Sequence, residues 1–445
     1  MRGMPAAKNH LTLFSAEILD LAHDGRGIAR VGGKVTFIAG ALPGERVRYR
    51  LRRPGKQADE GELVAVEQPS PERVAPRCAH FGVCGGCSLQ HLSAAGQIAF
   101  KEKQLLDALE RIGRVRPDLV APPVTGPQWG YRRRARLAAK HVPKKGGVLV
   151  GFREKDAPLI ANLDACLTLD PRVGTKLKAL AHCLARLSIR DQVPQVEVAA
   201  ANVVVLVLRV LRPPTVEDRA ILAEFGAQEG FEIHLQSGGL DTVEPLVPPA
   251  SELHYSPDGS DLRIVFRPTD FIQINDAVNQ AMVRQALDWL ALEPGAHVLE
   301  LFSGLGNFSL PMARRGARVT AVEGEAGLVQ RARDNAARNR LDVRFEHADL
   351  FQPDAQAAWL GGPCDAVLLD PPRAGAREIL PLAIARRPAR VLYVSCHPGT
   401  LARDAEELVH QRGYRLARAG ILDMFPHTSH VESMALFERT GAPAA

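Results

Sequence analysis

The stretch Leu299-Glu300-Leu301-Phe302-Ser303-Gly304-Leu305-Gly306-Asn307-Phe308 ends an apolar strand and opens a helix across a glycine turn. Its glycines allow the backbone to approach a ligand closely. Working outward, strands are expected near residues 297–301, 318–322, 343–346, 366–370 and 390–395, separated by helices and preceded by one over 277–290. That alternation specifies an α/β fold with a doubly wound, mostly parallel Rossmann-like sheet, whose ligands bind at the carboxyl ends of the strands. Two further strands, near 414–420 and 430–439, sit closer together and read as an antiparallel edge pair.

Chemistry-bearing residues fall at those strand ends. Glu323 closes the strand after the glycine turn, about twenty positions on, where a carboxylate accepts from ribose hydroxyls. A Gly-x-Gly turn first suggests NAD, but the third glycine that accommodates a pyrophosphate is replaced by Ser309. A nucleoside ligand without a diphosphate fits better, and S-adenosylmethionine is one. Asp370-Pro371-Pro372-Arg373 ends the strand 366–370; Asp370 either caps the next helix or faces the crevice, and the stiff Pro-Pro turn favours the crevice. Ser395-Cys396-His397-Pro398-Gly399-Thr400 ends the neighbouring strand, which brings Cys396 to the same rim. A lone cysteine is more often core, but this one lies in a polar turn. Electropositive neighbours and strand-end amides are expected to lower its pKa and populate the thiolate.

The chain has 445 residues, enough for several domains. Its hydrophobic fraction of 46% and charged fraction of 24% are those of a globular protein without a membrane anchor. Met1-Arg2-Gly3-Met4-Pro5 is followed by no apolar segment, so a cytoplasmic location is expected. A formal net charge of only +6 means that attraction to a polyanion must come from local clusters. Arg46, Arg48, Arg50 and Arg52 alternate with Val47, Tyr49 and Leu51, so a strand there carries all four on one face. Tyr131-Arg132-Arg133-Arg134, with Arg136, Lys140, Lys144 and Lys145, sets an aromatic ring among dense positive charge. Each cluster alone is equally well a solvated surface; together they favour nucleic acid.

Upstream, residues 11–66 form short alternating segments between turn signals, as a small antiparallel β-barrel does, and residues 68–76 read as a proline-rich linker. Cys78, Cys84 and Cys87 follow in a glycine-rich loop with C-x5-C-x2-C spacing, and Cys166 stands apart. Three thiols plus a distant fourth suit zinc or an iron-sulfur cluster, and the single C-x2-C knuckle tilts toward iron-sulfur. A helix is expected over 94–112. Mixed α/β structure follows, with strand-like runs at 195–211 and 259–266 and helices near 174–187 and 216–229.

The sequence resembles the uracil-5 RNA methyltransferases. The motifs that carry the likeness are Phe271-Ile272-Gln273-Ile274-Asn275, Asp370-Pro371-Pro372-Arg373, the run from Ser395 to Asp404, and His427-Thr428-Ser429-His430-Val431-Glu432-Ser433. It departs from the family pattern at Ser303, often Cys, and Gly399, often Ala. The likeness spans nearly the whole chain, and barrel plus cysteine loop resembles the branch that acts on 23S ribosomal RNA. It implies a TRAM, OB-like, RNA-binding barrel over 10–68, an iron-sulfur cysteine loop over 69–92 and a middle α/β domain over 93–270, whose helix 94–112 is a candidate to pack on the catalytic domain. A class I S-adenosylmethionine-dependent methyltransferase domain would fill 271–445. It further implies Cys396 as nucleophile, Glu432 as base, and Gln273, Phe302, Asn307, Glu323, Asp349 and Asp370 as residues that hold the donor or line its site. Cys78, Cys84, Cys87 and Cys166 would ligate a 4Fe-4S cluster, and the substrate would be a flipped uridine of 23S rRNA, bound by a monomer. On sequence alone Glu432 reads as an exposed strand carboxylate.

Three rival readings remain open: a metal-dependent RNA-binding module without catalysis, the same chemistry on tRNA, and a radical enzyme. The last class resembles Cys-x3-Cys-x2-Cys, which Cys78, Cys84 and Cys87 do not match.

Overall fold

The computed structural model describes residues 12–441; the stretch Met1 to Pro5, and the first positions of the expected barrel, lie outside the described residues. The chain divides into two compact units. One comprises the chain up to Lys101 with Glu154–Ala157 and Pro426–His430; the other comprises Glu102–Arg153, Pro158–Phe425 and the chain from Val431.

In the first unit six strands form one sheet, in the spatial order Leu13–Glu17, Arg46–Arg53, Ala58–Gln68, Lys34–Ala39, Gly27–Val31, Asp20–Leu21. The two edge strands are consecutive in sequence, separated only by Ile18 and Leu19, whose amides donate to Glu45 and Ile28 carbonyls. The sheet therefore closes on a core that includes Ile18, Ala29, Ile38, Val47 and Tyr49. The barrel is not wholly antiparallel: Lys34–Ala39 pairs parallel with Ala58–Gln68. On Arg46–Arg53, Val47 and Tyr49 are buried while Arg46, Arg48 and Arg52 are exposed, as the period of two requires. The arginines are partly neutralised, with Arg48 to Glu67 at 3.3 Å, Arg50 to Glu62 at 3.4 Å and Arg52 to Asp156 at 3.0 Å. Such exposed pairs are weak, so the guanidiniums stay exchangeable toward phosphate.

The segment expected as a linker is instead pinned. Arg73 donates to Glu45 at 2.5 and 2.7 Å and to the Gly40 carbonyl at 2.6 Å. Glu45 is fully buried and also accepts from the amides of Leu42 and Ser70. Burial pushes its carboxyl upward, but Arg73 and the two amides outweigh that and leave it below the ordinary 4.5.

The second unit contains two large sheets. The first runs Val243–Pro245, Phe231–Gln236, Val204–Arg209, Gln195–Ala200, Arg134–Val142, Gly147–Gly151. The apolar run 195–211 is a hairpin that turns at 201–203, and of 259–266 only Ile264–Val265 is strand. Helices Leu177–Arg186 and Val216–Glu229 lie near their expected positions. The second arginine cluster turns inward. Tyr131 and Arg133 are buried, Arg133 pairs with Asp276 at 2.5 Å, and Arg134 and Arg136 share Glu197 at 3.5 and 3.1 Å. Only Arg136, Lys140, Lys144 and Lys145 of that run are exposed. An arginine count could not reveal that carboxylates from distant segments meet the run.

The larger sheet has the order Val343–His347, Arg318–Glu323, His297–Leu301, Ala366–Leu369, Arg390–Ser395, Glu432–Arg439, Tyr414–Leu422, Leu119–Val120. The first five strands are mutually parallel, and Ala366–Leu369 is buried throughout, as a central strand covered on both faces must be. The last two long strands are antiparallel to each other, as expected, but do not form the edge. Glu432–Arg439 inserts against Arg390–Ser395, and the edge is the two-residue strand Leu119–Val120. Among the described residues no helix is long and apolar enough to cross a membrane.

Glu45→Ala should strand a guanidinium and two amides in the barrel and lower its stability by about 3 kcal/mol. Hydrogen exchange of the barrel amides is the readout. Because the Glu45 carboxyl lies below its ordinary value, its contribution is present at neutral pH and is lost as pH falls through the folded value; the variant should lack that acid-dependent component.

Candidate active site

The parallel register sets the carboxyl ends of five strands along one rim. Phe302 follows His297–Leu301, Glu323 ends Arg318–Glu323, Asp349 follows Val343–His347, Asp370 follows Ala366–Leu369, and Cys396 follows Arg390–Ser395. Glu432 reaches the rim from the opposite direction as the first residue of its strand. The antiparallel register pairs Ser395 with Ser433, and one more step of it sets Cys396 opposite Glu432. Gln273 arrives from the loop before helix Asp276–Leu290, where its carbonyl accepts from Arg133 Nε at 2.7 Å.

Gln273, Phe302, Asn307, Glu323, Asp349, Asp370, Cys396 and Glu432 all line one cavity of about 830 Å³. The glycine turn forms its floor. Phe302, Gly304 and Gly306 have φ of 64°, 55° and 93°, and a Cβ on Gly304 would meet nothing within 4 Å, so the turn leaves open space where a ligand can approach backbone. Glu323 accepts from the amides of Gly304 at 2.9 Å and Gly324 at 2.8 Å, which ties the turn to the next strand end. Asn307 accepts from the Tyr255 hydroxyl at 3.2 Å and donates to Asn279 at 2.9 Å, while Asp349 accepts from the amides of Phe351 and Gln352.

Of the aromatic lining, sequence reasoning named Phe302 and missed the rest. Phe271 is 72% exposed at the cavity, and Phe351 packs with Phe302 at 5.8 Å between ring centroids. Tyr255 reaches the same wall from a two-residue strand. Phe271 lies two residues before Gln273, and that proximity was the one available signal. Glu432 is 4% exposed, the reverse of the exposed carboxylate its strand alternation had implied, because its strand is interior.

The cavity is rich in carboxyl groups that have lost solvent. Burial raises Asp370 to about 7, and burial plus repulsion from Asp370 holds Glu432 well above its ordinary 4.5. Beneath them Glu300 is buried, accepts from the Ser309 hydroxyl and is raised by burial to about 8. Cys396 is half-buried, and its thiol is pushed up to about 11 by burial, then by Glu432 and Asp370, with Arg373 opposing. The expected lowering of this pKa is thus reversed: the neighbours are carboxylates, and the first amides of helix Pro398–Arg412 are engaged by His397, which accepts from Thr400 N.

The cysteine loop lies in the first unit and Cys166 in the second. Cys84 is buried, Cys78, Cys87 and Cys166 are half-buried, and none of the four forms a disulfide. Among the described residues no group of three or more His, Cys, Asp or Glu side chains gathers as a single metal ion would require. The loop does offer thiolate-type hydrogen bonding, since Gly86 N–H donates to Cys84 Sγ at 3.4 Å.

Comparison with known proteins identifies the family. The profile of the family described as tRNA (Uracil-5-)-methyltransferase matches residues 258–347 and 361–440, and that of the TRAM domain matches 13–52. A protein of Alkalilimnicola ehrlichii named 23S rRNA (uracil(1939)-C(5))-methyltransferase RlmD is 52% identical over 429 residues, 96% of each chain. One of the same name from Stenotrophomonas maltophilia is 50% identical over 435 residues, 96% of this chain and 98% of that one. The crystal structure of Pyrococcus abyssi tRNA (uracil-54, C5)-methyltransferase in complex with S-adenosyl-L-homocysteine superposes with TM-score 0.73 at 24% identity, over 95% of this chain and 99% of that one. It shares the fold.

Alkylation of Cys396 by iodoacetamide in the ligand-free protein, followed by peptide mass spectrometry, should rise with pH toward a midpoint near 11 rather than the roughly 8.5 of an ordinary thiol. Asp370→Asn removes a like charge and should move that midpoint downward.

Proposed function

The chain belongs to the family of uracil-5 RNA methyltransferases, and on that premise we propose that it methylates carbon 5 of one uridine in 23S ribosomal RNA, with S-adenosyl-L-methionine as donor, Cys396 as nucleophile and Glu432 as base. The observation that carries the reading is the strand register that sets Cys396 against Glu432 at the wall of the main cavity. The relatives' names point to uridine 1939 as the nucleotide. The chain is taken to act as a monomer in the cytoplasm, with the arginine face of the barrel on the RNA backbone.

Gln273, Phe302, Asn307, Glu323, Asp349 and Asp370 would hold the donor. The open glycine turn and the carboxyl groups raised by loss of solvent suit a nucleoside that carries a positive charge. When bound, the donor supplies an electrophilic methyl group on cationic sulfur.

Carbon 5 of uracil is too weak a nucleophile to take that methyl unaided. The Cys396 thiolate adds to carbon 6, its electron pair forms the sulfur–carbon bond, and the ring's π electrons move onto the carbon 4 oxygen as an enolate, which makes carbon 5 nucleophilic. After carbon 5 is alkylated it carries both the methyl group and its proton. Glu432 removes that proton, carbons 5 and 6 regain their double bond, and the Cys396 sulfur leaves. Glu432 and Asp370 oppose thiolate formation, and a cationic donor held by the cavity would offset that repulsion. Stacking hides carbon 6 in folded RNA, so the uridine must swing out into the cavity, where Phe271 offers an exposed ring at the mouth.

Cys396→Ser should abolish methyl transfer to a 23S rRNA fragment. Glu432→Gln should slow turnover by about 10²–10⁴-fold while a covalent protein–RNA adduct accumulates, visible as a slow band on denaturing gels. Full activity in Cys396→Ser would overturn the nucleophile, and mapping the methyl group to transfer RNA alone would overturn the substrate.

We further propose that Cys78, Cys84, Cys87 and Cys166 ligate a 4Fe-4S cluster. The spacing of the first three, the lack of any disulfide among them and the N–H···S bond on Cys84 support this. Protein purified without oxygen should be brown and contain iron and acid-labile sulfide, both lost in Cys84→Ser. Stoichiometric zinc instead would overturn the cluster.

A further inference from the structure

The turn that begins at Asp370 is tied to the segment that carries Cys396 through one buried carboxylate. Asp404, 2% exposed on helix Pro398–Arg412, joins three stretches of chain. Its Oδ2 accepts from the Tyr393 hydroxyl at 2.7 Å, on the strand that leads to Cys396, and from Ala376 N at 2.9 Å, beyond the Asp370 turn. Its Oδ1 accepts from Arg403 Nε at 2.8 Å, and Arg403 Nη2 donates onward to the Ala374 carbonyl at 3.1 Å. Gly375 sits between those two contacts with φ of 84°. A Cβ there would lie 2.5 Å from Arg403 Nη2, 2.8 Å from Asp404 Oδ2 and 3.1 Å from Thr400 Cβ, so turn and helix meet with no room for a side chain.

What this joint controls follows from the residues between it and the cavity. Only Pro371, Pro372 and Arg373 separate Asp370 from Ala374, and the fixed φ of two prolines leaves that arm little slack. The Asp370 carboxyl group has no hydrogen bond of its own among the described residues, so its place is set by its backbone. Cys396 in turn lies between the strand that carries Tyr393 and the helix that carries Asp404. One carboxylate therefore holds both supports of the sulfur and the arm of the Asp370 turn. Neither Arg403 nor Asp404 lines the cavity, and they act through groups that do.

We propose that Arg403 and Asp404 are positioning residues, a clamp that fixes the spacing between the Asp370 turn and the Cys396 sulfur. The inference rests on the reading of Cys396 as the nucleophile. A fixed spacing matters there because a displacement of about 1 Å at reacting groups can cost roughly 10²-fold in rate.

Three variants test it. Asp404→Asn leaves one acceptor oxygen for three donor groups and removes the charge that holds Arg403. Arg403→Lys keeps a cation beside Asp404 but offers one nitrogen in place of the fork that spans Asp404 and Ala374; Arg403 is 34% exposed, so this variant folds even where Asp404→Asn does not. Tyr393→Phe withdraws a donor from Asp404 without touching either bond to the turn, and serves as the control for stability. Each is measured for thermal unfolding, for kcat and KM on a 23S rRNA fragment, and for the pH profile of Cys396 alkylation. Asp404→Asn should lower kcat by about 10²-fold while KM for the RNA changes by less than about threefold. Its alkylation midpoint should fall below that of wild type, because the burial and the Asp370 repulsion that raise the thiol both relax. Arg403→Lys should move both readouts in the same directions. Tyr393→Phe should lower the unfolding temperature and leave both at their wild-type values. Wild-type kcat and alkylation midpoint in Arg403→Lys, or a loss of kcat in Tyr393→Phe as large as that in Asp404→Asn, would overturn the clamp and leave the nucleophile reading intact. Alkylation midpoints that shift as stated, in a protein whose wild type transfers no methyl group, would overturn that reading and leave the clamp.

Discussion

The insertion of Glu432–Arg439 between Arg390–Ser395 and Tyr414–Leu422 is the constraint on which the catalytic account depends. A purely parallel sheet brings only carboxyl ends to its ligand-binding rim, and here those ends supply Phe302, Glu323, Asp370 and Cys396. One antiparallel strand adds an amino end to the same rim. Because ladder pairing has a period of two, a slip of one residue would turn Glu432 to the other face of the sheet and remove it from Cys396. The buried pairing of Ser395 with Ser433, where Ser433 Oγ donates to the Ser395 carbonyl at 3.2 Å, helps to hold that register.

Register alone does not make a nucleophile. Asp370 and Glu432 line the cavity with little solvent around them, and each carboxyl group is raised as a result. Burial, and then Glu432 and Asp370, push the neighbouring thiol up to about 11. The same field favours a cationic ligand and, once offset by one, ceases to oppose the thiolate.

Much of this was legible in the residues. Parallel strands announce themselves as continuous apolar runs, and the turns that end them carry their functional side chains in adjacent sequence, so Phe302, Glu323, Asp370 and Cys396 could be placed on one rim before any coordinates. Non-local facts were not legible. Glu432 looks exposed in isolation because nothing nearby records that two strands will flank it. The arginines after Tyr131 look like a surface until Asp276 and Glu197, more than sixty residues away, close over them. Leu119–Val120 is too short for periodicity to register, and the sign of the Cys396 shift depends on carboxylates contributed by other strands. The paired strand order, which sequence suggested as an edge, likewise depends on which neighbour wins the ladder.

The central claim is that the sulfur of Cys396 bonds to carbon 6 of the target pyrimidine. A 23S rRNA fragment carrying 5-fluorouridine at the target tests it most directly, since the fluorine at carbon 5 cannot be abstracted as a proton and the adduct cannot eliminate. With S-adenosylmethionine present, digestion and mass spectrometry of the complex should find the methylated fluoropyrimidine attached to the peptide containing Cys396. Attachment to another residue, or methylation of ordinary uridine with no adduct trapped by the fluorinated RNA, would contradict the account.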